Sequence, residues 1–170
     1  MGEGAGVGYS VNLPLQPFTD DAVYLPAFEA VVPPLLRAFA PDVTGNPARH
    51  RLASDRPAHP PGALPSRASV APVGRILEMS PRVVALGGGG YDLVNVARAW
   101  TAAWAALNGM TLPDPLPATM HHELRSRGLK TLTLSDPPAE LPGDARHWAE
   151  DYAARQVRII QEQIFPLHGL

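Results

Sequence analysis

The chain has no cysteine, which excludes disulfides, thiolate metal ligands and a cysteine nucleophile. Only 6% of its 170 residues are aromatic and only 18% are charged. The net charge is −2, so no basic surface for nucleic acid is expected. No apolar run comes near the roughly 18 consecutive residues of a bilayer span, so no membrane segment is expected. The first ten residues, MGEGAGVGYS, show neither the charged region nor the apolar core of a secretory signal. Together these absences lead to the expectation of a cytoplasmic protein. Apolar residues are plentiful at 45%, and the length suits one domain with a buried core. Proline is the excess: 20 residues in 170, against a usual share of about 5%.

The chain is organised around RVVALGGGGYDLVNVARAW, Arg82 to Trp100. Val83 to Leu86 is a short apolar run between Pro81 and four glycines, which predicts a buried strand. Gly87 to Gly90 carry no Cβ, so the backbone there can turn sharply and let another group approach closely. Tyr91 stands at the exit. Leu93, Val94, Ala97, Trp100, Ala103 and Trp104 then recur at helical spacing, with Asp92 placed at the positive end of that helix. The ends of strands in open α/β folds are where ligands bind. The glycines alone leave two readings open, a phosphate cradle or a plain tight turn with a buried tyrosine. The Lys-Ser/Thr of a P-loop and the GxGxxG spacing are both missing.

Upstream, Gly2 to Gly8 reads as a glycine-rich loop and Tyr9 to Leu15 as a short alternating strand ending near Pro14. Thr19 is a candidate cap for a helix whose apolar face is Phe28, Val31, Val32, Leu35, Leu36 and Phe39. Pro26, Pro33 and Pro34 should kink or split it. Downstream, Asn108-Gly109 marks a helix end, and Leu112 to Pro117 reads as an extended crossing. His121 to Leu124 starts a short polar helix. Asp144 is a candidate cap for a last helix running to Pro166. Its Trp148, Tyr152, Ile159, Ile160 and Ile164 are expected to pack on a sheet.

LGGGGYDLVNVARAW resembles a signature of the zinc-dependent histone deacetylase family, in particular its bacterial acetoin utilization and deacetylase-like amidohydrolase branch. GEGAGVGYSVNLPL resembles that family's glycine loop and Asn-x-Pro-Leu strand. The resemblance runs over Gly4 to Val43 and Gly74 to about Pro117, and corresponds to the C-terminal portion of the family domain. It implies an α/β fold, the C-terminal part of an arginase/deacetylase-like three-layer fold with a mainly parallel sheet. It also implies hydrolysis of acetyl-lysine or a related small acylamide. Tyr91 matches the family tyrosine that hydrogen-bonds the acetamide carbonyl, so it is the implied catalytic residue. Gly88, Gly89 and Gly90 match one wall of the narrow acyl tunnel. Zinc is the implied cofactor, held in the family by Asp-x-His and a second Asp, with tandem histidines beside it.

Thr44 to Val73 departs from that pattern. It holds Pro47, Pro57, Pro60, Pro61, Pro65 and Pro72, no aromatic residue, and no helix or strand periodicity. The family places a strand, an Asp-x-Leu metal loop and a helix here. The segment therefore reads as a flexible insertion or as a translated wrong frame between two compensating insertions or deletions. Asp55 is a weak candidate for the second zinc aspartate. His50 and His59 share the anomalous segment and receive no role. His121-His122 is expected to be exposed and unrelated to the family dyad, since adjacent helical side chains diverge by about 100°. His147 and His168 are expected at the surface.

The whole of 1–170 thus reads as the C-terminal part of a deacetylase-like domain, truncated and inactive alone. A separate N-terminal half is the expected partner that would supply the zinc site. The alternative is a non-catalytic remnant or interaction module of the same fold, and a weaker third reading is nucleotide binding by the glycine turn.

Overall fold

A computed structural model describes residues 2–17, 19–48, 67–87, 93–128, 132–135 and 142–170. The chain forms two compact units, Met1–Asp42 with Glu140–Leu170, and Val43–Ala139.

The first unit is built on two helices, α1 (Asp21–Phe39) and α5 (Gly143–Gln163). Asp20 is the N-cap of α1: one carboxylate oxygen accepts from the Val23 amide at 3.2 Å. The expected cap, Thr19, instead sends its hydroxyl back to the Gln16 carbonyl at 2.7 Å. The prolines do not split the helix, and α1 is continuous through Pro26, Pro33 and Pro34. An interior proline costs about 3 kcal/mol of helix propensity, so the packing of this helix must offset that cost. Val23 and Ala27 pack with Ala149 and Ala153 of α5, and Val31 packs with Ile160 and Ile164. Each fully buried valine or isoleucine contributes about 1.5–3 kcal/mol. By length and composition alone α1 could cross a bilayer, but this face is taken by α5.

Tyr9 to Leu15 is not a strand. Val11 to Gln16 carries no helix or ladder, although Val11, Leu13 and Leu15 do pack onto the helix pair. Without a neighbouring strand among this unit's described residues, the alternating pattern buries side chains but pairs no backbone. The N-cap of α5 is Pro142 rather than Asp144, which lies in the first turn where its charge still favours the helix dipole. This helix packs on a helix, not on a sheet, and Trp148 is 64% exposed instead of being core. A short 3₁₀ turn, Phe165–His168, closes the unit.

In the second unit, β1 (Thr44–Ala48) and β2 (Val83–Gly87) form a parallel pair, with Thr44 opposite Val83 and Ala48 opposite Gly87. Helix α2 (Arg67–Met79) lies between them in sequence, and α3 (Leu93–Leu107) follows β2. This is an α/β arrangement. The aperiodic reading of 44–73 is therefore corrected at both its ends, where β1 and the start of α2 fall; residues 49–66 lie outside the described residues. Gly45, Asn46 and Pro47 all disfavour strand, which is why β1 escapes a propensity reading. Its start is pinned by the Thr44 amide on the Arg82 carbonyl at 2.9 Å and by the Thr44 and buried Ser80 hydroxyls 2.7 Å apart.

The strand expected at Val83–Leu86 is present but not buried. Val83 and Ala85 are half-buried, while Val84 and Leu86, on the other face, are 50% and 53% exposed. Helices α2 and α3 pack together, with Val73 and Ile76 buried on one and Ala99, Ala103 and Ala105 on the other. Beyond α3, Gly109 takes a φ of +63° at the helix end, and α4 (His121–Ser126) is the short polar helix the sequence predicts.

Candidate functional site

The site begins where β2 ends. Strand β2 stops at Gly87 and α3 starts at Leu93, so GGGYD, residues 88–92, joins a parallel strand to a helix. Gly88, Gly89, Gly90 and Tyr91 lie outside the described residues, and so does Asp55. What the described residues fix is the frame on either side. A Cβ placed on Gly87 would lie 3.9 Å from Trp100 Cζ2, so the strand end and the second turn of α3 are close neighbours.

Helix α3 offers mostly alanine to its surroundings. Ala99, Ala103 and Ala105 are at most 4% exposed, while Trp104 turns outward at 54%. Among these small residues sits Arg98, a cation only 4% exposed. Its Nε–H donates to the Thr133 carbonyl at 2.9 Å. Thr133 belongs to a short antiparallel contact between two segments after the helix, with Pro115 opposite Thr133. The Leu116 amide donates to the Leu132 carbonyl at 3.0 Å and the Leu134 amide to the Asp114 carbonyl at 2.5 Å. Asp114 completes the knot: its Oδ1 accepts from the Ser135 amide at 2.9 Å and from the Ser135 hydroxyl. Those two bonds, the hydroxyl first, hold the Asp114 carboxyl below the usual carboxylate range, with the Arg98 charge adding a smaller push in the same direction. The sequence reading passed over Arg98, although an arginine inside the apolar spacing of VARAW is itself a signal.

Among the described residues the histidines do not gather into a metal site. His121 places Nε2 2.9 Å from the Leu116 carbonyl, and His122 is exposed. His147 is exposed on α5, with Nε2 3.4 Å from Asp151. His168 is less superficial than its position suggests: Nε2 is 2.9 Å from the Gly8 carbonyl and its ring meets Tyr9 edge-on at 5.3 Å. His50 and His59 lie outside the described residues. Among the described residues no three of His, Asp and Glu converge as metal ligands, so these residues by themselves do not fit zinc.

The described residues define a parallel α/β unit in which the sequence GGGYD lies between the end of β2 and the start of α3. Comparison with known proteins then gives the family: the chain belongs to the histone deacetylases. It is 32% identical over 124 residues to histone deacetylase RPD3 of Saccharomyces cerevisiae, a stretch covering 72% of this chain and 28% of that one. It is 34% identical over 114 residues to the acetoin utilization protein AcuC of Staphylococcus aureus strain Mu50, covering 62% and 28%. Putative histone deacetylase 2 of Caenorhabditis elegans is 31% identical over 119 residues, covering 69% and 23%. The chain therefore spans less than a third of the length of the curated relatives it matches. No protein-family model matches it.

Proposed function

We propose that this chain carries the carbonyl-facing part of a zinc-dependent deacetylase site of the acetoin utilization type, on an arginase/deacetylase-like three-layer fold. The observation behind this reading is the GGGGY run between a parallel strand and its following helix, in a chain 32–34% identical to a histone deacetylase and to AcuC. The Tyr91 phenol donates a hydrogen bond to the carbonyl oxygen of an acetyl-lysine or small acylamide. Negative charge grows on that oxygen as the amide is attacked, so a donor fixed there lowers the barrier more than it tightens ground-state binding. Gly88, Gly89 and Gly90 leave room for the acyl chain to lie against bare backbone.

Zinc, in this family, polarises the same carbonyl and activates water. No step through it is assigned to the described residues, because they hold no fitting ligand set. The chain acts only together with a further part of the family domain that brings the metal. A cytoplasmic setting belongs to the same proposal.

The test mixes the 170-residue chain with the portion of the Staphylococcus aureus AcuC outside the matched stretch, adds zinc, and follows hydrolysis of an acetyl-lysine peptide. The chain alone should be silent. The mixture should turn over, and Tyr91→Phe should lower its kcat by about 10²–10³. A mixture no faster than the AcuC portion alone, or a Tyr91→Phe variant as fast as wild type, would overturn the reading in favour of a non-catalytic remnant.

A further inference from the structure

The segment before α1 presents an edge of backbone groups with no ladder to join. Burial alternates residue by residue from Val11 to Leu15, with Asn12 and Pro14 exposed, as in an extended chain. Among the described residues, no N–H or C=O from Val11 to Leu15 makes a backbone hydrogen bond. The side chains of Val11, Leu13 and Leu15 pack onto α1 and α5, so the helices hold the segment in place. An extended chain directs the N–H and C=O groups of alternate residues to opposite edges. Val11, Leu13 and Leu15 therefore offer three donors and three acceptors on one edge, whereas Pro14 lacks its N–H on the other. Native proteins blunt bare edges with charged side chains, and Tyr9 to Leu15 carries none. The helix pair is also wider than one strand. Two helices side by side are about 20 Å across, enough for about four strands at a spacing of about 4.8 Å. Beside the segment, Val11 and Leu13 share a cavity of about 370 Å³ with Leu35, Leu36 and Phe39, and Phe39 is 57% exposed.

We propose that the edge formed by the Val11, Leu13 and Leu15 backbone is the docking strand of this chain, and that its occupant is a β-strand from the part of the deacetylase domain outside the matched stretch. This rests on the reading that the chain works together with such a part, since its matched stretch spans 28% of RPD3 and 28% of AcuC. Main-chain pairing along the edge supplies the affinity, and the neighbouring cavity takes apolar side chains of the incoming polypeptide. The width of the helix pair selects this occupant over a second copy of the chain. A second copy paired on the same edge, only about 4.8 Å away, would bring its own α1 and α5 onto the face that the first pair fills. A polypeptide that brings strands to that face meets no such clash.

The experiment follows amide exchange in the ¹⁵N-labelled 170-residue chain, alone and with the unlabelled portion of Staphylococcus aureus AcuC outside the matched stretch. Alone, Val11, Asn12, Leu13 and Leu15 should all exchange freely. The AcuC portion should slow Val11, Leu13 and Leu15 about ten-fold or more and leave Asn12, on the opposite edge, fast. Leu13→Pro removes the central donor and should abolish the slowing of Val11 and Leu15. Leu13→Ala shortens the same side chain but keeps the donor, and should retain it. Should the proline variant not fold, the wild-type pattern decides. The proposal falls if no amide slows on mixing, if Asn12 slows as much as its neighbours, or if the three amides are already slow in the chain alone. It falls equally if their slowing follows the concentration of the chain without the AcuC portion, since a second copy would then be the occupant. Protection without hydrolysis would keep the docking edge and remove the deacetylase reading, and hydrolysis without protection would do the reverse.

Discussion

Asp20 and Arg146 join positions 126 residues apart: Arg146 Nη2 lies 2.7 Å from Asp20 Oδ2, while Asp20 Oδ1 caps α1 through the Val23 amide. One carboxylate thus starts the first helix and ties it to the last. Its side chain is 5% exposed, against 30% for Arg146, so the pair is largely withdrawn from water.

Removing Asp20 should cost more than a surface ion pair would. Asp20→Ala loses a helix cap, about 1 kcal/mol, and strips Arg146 of its acceptor, for a total of about 2 kcal/mol. Arg146→Met leaves the cap in place and should cost less. Thermal unfolding of the two single variants and the double variant measures the coupling. Additive losses would mean that the ion pair contributes nothing beyond the cap.

Gly8 supplies a second test of the same unit. Its φ is +88°, and an added Cβ would stand 3.0 Å from Leu167 Cδ1, beneath the 3₁₀ turn that brings His168 to the Gly8 carbonyl. Gly8→Ala should therefore destabilise by about 1–2 kcal/mol from backbone strain, with a further loss if Leu167 cannot move. Gly4 also has a positive φ, of +55°, but meets nothing within 4 Å, so Gly4→Ala should cost only the strain. Equal drops in Tm for the two would show that the Leu167 contact is unimportant.

These interactions also show what was legible in the sequence. Strand β2, α3 and α4 were legible because apolar runs, helical spacing and glycine punctuation all agree there. Strand β1 was not, since Gly45, Asn46 and Pro47 oppose strand and only pairing with β2 makes one. The continuity of α1 through three prolines depends on α5, more than a hundred residues later, whereas a split at Pro26, Pro33 or Pro34 is what the local sequence alone suggests. Tyr9 to Leu15 has the alternation of a strand with no partner to pair. Arg98 was missed for the same reason: its acceptor, Thr133, lies 35 residues on and carries no mark of its role. The proposed role of Tyr91 is read from LGGGGYDLVNVARAW alone, and the described residues supply the strand and helix on either side of it.

Asp114 gives a pH dependence whose sign follows from its partners. The Ser135 hydroxyl and amide depress its folded pKa below the ordinary carboxylate value. A depressed carboxylate contributes stability that is present above its unfolded pKa, about 3.9, and is lost as pH falls through the folded value. The bonds from Ser135 to the Asp114 carboxylate should therefore hold at pH 5 to 8 and weaken only in acid below about pH 4. The Ser135 amide shift, followed from neutral pH downward, should stay flat until that range and then move. Asp114→Asn should remove the transition, and a transition already complete at pH 5 would contradict the assignment.

The expected lapse of the family resemblance runs from Thr44 to Val73, yet β1 occupies 44–48 and α2 starts at Arg67, so a strand and a helix flank the intervening residues. Parallel strands need a crossover of at least about a dozen residues, and the resemblance implies that this one should carry an Asp-x-Leu metal loop. We propose that the intervening residues are a frame error bounded by two compensating changes in a GC-rich gene, whose misread codons yield proline, alanine, arginine and serine. Resequencing the DNA should then show a second frame encoding an Asp-x-Leu loop between the codons for Ala48 and Arg67. A chain rebuilt from that frame should bind zinc more tightly than the present one when joined to the remaining domain. If the DNA confirms the present codons and no other frame encodes such a loop, the segment is native. Asp55 then becomes the aspartate to test, and loss of zinc binding in Asp55→Asn would give it the role.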